Sequence, residues 1–184
     1  MLTVISSTNR KNSEALRFAR LYRRLLLEHT REEVRLLALE NIPHDWFHPL
    51  MYEREHQTKS LIALQDRYLL QARGFVFIVP EYNGGVPGAL KLFIDACSVR
   101  DWQKTYSGKK AALVGIATGR AGNLRGMDHL TGILNHLGVH ILPNKLPLSS
   151  IERLIDDEGQ ISDPPTLQAL EQQVRQFLEF LGDA

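Results

Sequence analysis

Pro80-Glu81-Tyr82-Asn83-Gly84-Gly85-Val86-Pro87-Gly88 is the stretch on which the reading of the whole chain turns. Three glycines and two prolines in nine residues argue against regular structure. Proline fixes its own φ, and glycine opens left-handed angles. The stretch follows an apolar run at 75–79, Phe-Val-Phe-Ile-Val, which reads as a strand buried on both faces. It precedes residues 89–96, whose apolar positions fall at helical spacing. A rigid loop therefore joins the C-terminal end of a strand to the N-terminus of a helix. In open α/β sheets ligands bind in that crevice, and small residues let a flat ligand come close to the backbone.

Outward from this loop the same unit repeats. Leu2, Thr3, Val4 and Ile5 form a first strand. Eight polar residues, 6–13, separate it from an amphipathic helix at 14–28 that carries Leu16, Ala19, Leu21, Leu25 and Leu26. Ser13 is placed to cap that helix. Hydroxyls, amides and a helix N-terminus converge there, the arrangement that binds phosphate, and Arg10 and Lys11 add charge. The loop lacks the terminal Gly-Lys-Ser/Thr of a Walker A sequence, which argues against an NTPase.

A second strand is expected at 34–39, a helix at 59–72, and the central strand from Gly74. Residues 100–110 read as a polar passage, and 111–117 as a fourth strand. Thr118-Gly119-Arg120-Ala121-Gly122-Asn123 leads into a helix at 124–137, which Gly138 ends. Residues 139–142 read as a fifth strand, and Asp163-Pro164-Pro165 opens a last helix through Leu181. The order implies an α/β fold of three layers: a doubly wound, five-stranded parallel sheet in the flavodoxin-like order 2-1-3-4-5. The loops after strands one and three then border one crevice at the switch point, with the loop after strand four beside it.

Residues 1–184 are expected to form a single domain, since that length suits one core better than two. Net charge is +1 with both signs interspersed, which gives no field to attract nucleic acid or an anionic membrane. One cysteine excludes an intrachain disulfide and a multi-cysteine metal site, and Cys97 reads as a small buried hydrophobe. No basic, apolar leader opens the chain, and no run approaches the roughly 20 apolar residues of a spanning helix. A cytoplasmic protein is the expectation. Residues 41–57 lack periodicity; His44, Asp45 and His48 invite a metal reading but lack the context of known zinc motifs. Trp46 and Phe47 are expected to cover a core edge or pocket mouth and, with Trp102, to offer exposed apolar surface.

Pro80-Glu81-Tyr82-Asn83, followed by Pro87-Gly88-x-Leu90-Lys91-x-x-Ile94-Asp95, resembles the NADPH-dependent FMN reductase family, which includes azo-dye, quinone and chromate reductases. Ser7-Thr8-Asn9-Arg10-Lys11-Asn12-Ser13 is similar to the family's Gly-Ser-x-Arg-x-x-Ser loop. The resemblance implies FMN as cofactor, its phosphate held in the Ser7 loop by Thr8, Arg10 and Ser13. It places Pro80, Glu81, Tyr82 and Asn83 against the isoalloxazine ring, and Thr118, Gly119 and Arg120 on the strand-four side. It also implies hydride transfer from NADPH or NADH to the flavin N5 and on to a small planar acceptor, with no catalytic side chain. Amides near Asn83 and Gly84 would stabilise charge on the reduced ring, Tyr82 would line the ring or nicotinamide pocket, and Arg120 would neutralise the reduced flavin.

Relatives form dimers or tetramers, so a homodimer or homotetramer is implied. Ser7 stands where the family usually carries glycine, Leu92 where it often carries asparagine, and Glu14 follows Ser13, where its carboxylate is expected to point away from a phosphate. Two other readings of the fold are an electron-carrier flavodoxin, disfavoured by the near-neutral charge, and a scaffold without cofactor.

Overall fold

In the computed structural model, which describes residues 1–182, β1 (Leu2–Ser6) runs between β2 (Val34–Ala38) and β3 (Gly74–Pro80), parallel to both. β4 (Lys110–Ile116) pairs with β3 in parallel from Gly74↔Lys110 to Pro80↔Ile116. With β5 (His140–Ile141) on the far side of β4, the order is β2-β1-β3-β4-β5, as the sequence implies. Pro80 closes β3, where its missing N–H leaves no donor for a further rung.

Period-two alternation within the buried strands divides the core. Phe75, Phe77 and Val79 face α2 (Lys59–Leu64), α3 (Gly88–Cys97) and α5 (Leu124–His136). Val76 and Ile78 face α1 (Glu14–His29) and α6 (Pro164–Leu181) on the opposite side. Both faces are covered, which is why the strands read as continuous apolar runs.

Four expectations need correction. The fifth strand position is split: β5 pairs with the start of β4, and β6 (Leu146–Leu148) pairs with its end. The Leu142 amide still donates to Ala111, but Pro143, in the gap, has no N–H to donate, and residues 143–145 leave the ladder. Gln173 of α6 bridges the gap, its buried Nε2 donating to the carbonyls of Leu113 (3.1 Å) and Asn144 (2.8 Å).

The helix expected at 59–72 stays α-helical only to Leu64 and continues as a π-helix over Gln65–Leu70. Side chains from elsewhere satisfy the carbonyls of that wide turn: Thr3 Oγ1 donates to Tyr68, and Lys109 Nζ to Leu69 and Leu70. The passage at 100–110 contains a short helix, α4 (Trp102–Tyr106), tied down where Gln65 Nε2 donates to Thr105 Oγ1 (2.8 Å). Trp46 is buried rather than exposed; it meets Phe93 edge-on and donates its indole N–H to the carbonyl of Pro43 (2.6 Å). Phe47 and Trp102 do lie exposed. Among the described residues no helix is long and apolar enough to cross a membrane.

Candidate functional site

The C-terminal ends of β1, β3 and β4 open into a cleft of about 790 Å³. Arg10, Asn12 and Ser13 line it from the first loop; Pro80, Glu81, Tyr82 and Asn83 from the second; Thr118 and Gly119 from the third. The three loops singled out in the sequence therefore share one cavity. A fourth wall, Ile151, Glu152, Ile155 and Asp156, was not anticipated. It reaches the cleft because the end of β4 pairs onward: the Ala117 amide donates to Leu148, and the Ile151 amide to Ala117. That contact is set by the split strand, which no local pattern announces.

In the first loop Ser7 is wholly buried and does not line the cleft. Its amide extends the ladder to Ile78 and its hydroxyl donates to Ile5. Its φ is not positive, so serine fits where the resembled family carries glycine. Thr8, also buried, lies behind the cleft wall and donates to the Tyr82 hydroxyl (3.1 Å), tying the first loop to the second.

Ser13 occupies the N-cap position of α1, yet its side chain caps nothing. Its amide and hydroxyl both donate to Glu40 Oε2 at 3.4 Å. Among the described residues the amides of Asn9, Lys11, Asn12, Glu14 and Ala15 have no partner, and Asn12, Glu14 and Ala15 line the cleft. Glu14 does line the cleft, contrary to the expectation that it points away, although Arg17 Nε lies 3.0 Å from its carboxylate.

The second loop is a hairpin in miniature. Tyr82 and Gly85 exchange both amide–carbonyl bonds (3.1 and 3.0 Å), while Asn83 (φ 50°) and Gly84 (φ 74°) take left-handed angles between them. Asn-Gly is the pair that a two-residue turn of this hand selects. The Glu81 amide is used by the carbonyl of Ile116, so the unpartnered donors at the tip are Asn83 and Gly84.

The third loop is held by Asn123, whose importance the sequence did not reveal. Asn123 is fully buried, with Nδ2 donating to the Val79 carbonyl (2.9 Å) and Oδ1 accepting from the Gly126 amide (3.1 Å). It thereby caps α5 and fastens it to the end of β3. Gly122 is required beside it: φ is +55°, and a Cβ there would sit 2.7 Å from Pro147. Arg120 is exposed and does not line the cleft, and neither does Gly84. Near Gly84 lies Arg125, with Nη1 3.8 Å from where a Gly84 Cβ would stand.

His44, Asp45 and His48 do not gather. Among the described residues the carboxylates and imidazole within ligating distance are Glu53, Glu55 and His56, all exposed. Cys97 is buried and its thiol is pushed up in pKa by burial, which leaves no reactive thiolate there.

Residues 1–153 match the model of a family described as NADPH-dependent FMN reductase. The chain belongs to this family. An NAD(P)H-dependent FMN reductase of Pseudomonas aeruginosa is 35% identical over 105 residues, 56% of each chain. A quinone reductase of Escherichia coli is 35% identical over 132 residues, 70% of this chain and 69% of the relative. The alignment with the first of these thus spans little more than half of its length. Among solved structures, the flavoenzyme NAD(P)H:(acceptor) oxidoreductase FerB from Paracoccus denitrificans superposes with a TM-score of 0.78 at 24% identity. That match covers 98% of this chain and 96% of the other, a likeness of fold.

Proposed function

We propose that this protein is an NAD(P)H-dependent flavoprotein reductase that passes a hydride from NADPH or NADH, through FMN, to a small planar acceptor such as a quinone, an azo compound or free flavin. The observation that carries the reading is the convergence of two sets of unpartnered amides on one cleft: Asn12, Glu14 and Ala15 at the first loop, and Asn83 at the hairpin tip. The first set, with Arg10 beside it, fits a phosphate. The second fits the polar edge of a flat ring laid against a rigid turn. The relatives named for FMN and quinone reduction support the same assignment.

FMN, when bound, supplies the hydride-carrying ring. The protein's part is to bind and orient. Arg10, Ser13 and the loop amides anchor one end of the ligand; Pro80 to Asn83 and Thr118 with Gly119 wall the other. Thr8 holds Tyr82 in place, and the unpartnered Asn83 amide, with that of Gly84 next to it, would stabilise negative charge on a bound ring. Ser7 supports the loop from behind, and Arg120 supplies positive charge at the exposed rim. A cytoplasmic location, a single domain and a homodimer or homotetramer belong to the same proposal. Exposed Phe47, Leu50, Tyr52 and Trp102 are among the apolar side chains available for association.

The test is NADPH and NADH oxidation by the purified protein with benzoquinone, with and without added FMN. Oxidation well above background when FMN is present is the expected result. Background rates with either nucleotide, with and without FMN, would remove the enzyme. Light scattering that found only monomer at every concentration would remove the assembly.

A further inference from the structure

The N-terminus of α1 already carries an anion of the protein's own. Glu40 stands on a 3-10 turn (Leu39–Asn41) directly after β2, flanked by buried Leu39 and Ile42, so its backbone is fixed. Because β2 pairs with β1, this turn lies beside the loop that follows β1. Glu40 is half-buried, and its Oε2 receives both the amide and the hydroxyl of Ser13. An N-cap serine ordinarily accepts from its own helix. Here the hydroxyl is turned round to donate, and the carboxylate meets the positive end of the helix dipole where a phosphate would.

Glu40 does not itself line the cleft: it lines the adjoining cavity with Arg17, Arg20 and Arg24, and meets the cleft at Ser13, which lines both. The cleft in front is acidic. Glu14, Glu81, Glu152 and Asp156 line it against a single guanidinium, Arg10. A dianionic phosphate entering the first loop gains Arg10 and the free amides, but has to displace or sit beside the Glu40 carboxylate.

We infer that Glu40 is a specificity-determining residue that suppresses the contribution of the flavin phosphate, so that the site takes flavins by their ring and binds riboflavin nearly as well as FMN. This rests on the flavin reading given above. A flavin held mainly by its ring leaves readily, and it behaves as an exchanging substrate rather than a resident group.

The experiment is a fluorescence titration of the apoprotein with FMN and with riboflavin, on the natural chain, Glu40→Gln and Glu40→Ala, at low and high salt. Circular dichroism of each variant verifies folding. In the natural chain the two dissociation constants should lie within about tenfold of each other. Both variants should tighten FMN about fivefold to tenfold and leave riboflavin unchanged, and the gain should shrink as salt is added.

Unchanged FMN affinity in folded variants would overturn the inference. So would equal tightening of both flavins, since Glu40 would then act on the shape of the loop rather than on charge. Either result leaves the flavoprotein reading standing. No binding of either flavin to any of the three proteins would overturn that reading, and this inference with it.

Discussion

Two side chains do most to fix the walls of the cleft, and neither needs to touch a reacting atom. Asn123 satisfies a carbonyl at the end of β3 and an amide at the start of α5 from inside the protein. Asn123→Ala removes a helix cap and orphans a buried carbonyl, so it should cost about 2 kcal/mol in urea unfolding. A loss under about 0.5 kcal/mol would show that solvent reaches the site. Tyr82 is held by the Thr8 hydroxyl, and Tyr82→Phe severs this side-chain bond between the first two loops. Stability should change by less than about 1 kcal/mol, while flavin affinity falls about threefold to tenfold by titration.

At this scale the sequence was only partly legible. Asn83 and Gly84 stood out by composition, because left-handed angles demand such residues. Asn123 and Glu40 did not, because their roles arise from which strands lie side by side. The burial of Trp46 is not legible either, because amphipathic residues in an aperiodic segment carry no sign of which way they face.

At the scale of elements, the regular pieces were readable wherever an apolar period ran unbroken, as in β3 and α1. Irregularities were not, since each depends on a partner distant in sequence. The π-helix needs Thr3 and Lys109; the split strand needs Gln173. Gln173→Met keeps the volume but leaves the carbonyl of buried Leu113 unpaired and frees that of Asn144, an exposed residue. It should destabilise by about 1–3 kcal/mol. Amide exchange should quicken first in β6, and through it the fourth wall of the cleft should loosen. Uniform exchange across the sheet would instead make the gap a passive bulge.

For the whole molecule, strand order is legible in the sequence, because alternating strands and helices leave few ways to cover both faces of a sheet. An ion cluster holds the edge far from the cleft. Glu32 receives Arg73 Nε at 2.9 and 3.1 Å and the amino group of Met1 at 2.7 Å. The Arg73 guanidinium, with help from the amino group, lowers its pKa from 4.5 to about 2. A carboxylate with a lowered folded pKa contributes stability above its unfolded value and loses it as pH falls through the folded one. The window is therefore from about 4.5 down to about 2. With both side chains partly open to solvent, the contribution is discounted to about 1–2 kcal/mol. Glu32→Gln should be less stable by that amount at neutral pH, and the gap should close on acidification across this window. A gap independent of pH would mean that packing, not charge, is lost.

The most direct measurement is anaerobic. The protein is mixed with FMN in excess, without removing unbound flavin, NADPH or NADH is added, and the visible flavin band is followed. A flavoprotein reductase bleaches the band at a rate proportional to protein, whether its flavin is held tightly or exchanges. A band that fades no faster than in the protein-free mixture, with both nucleotides, would contradict the assignment.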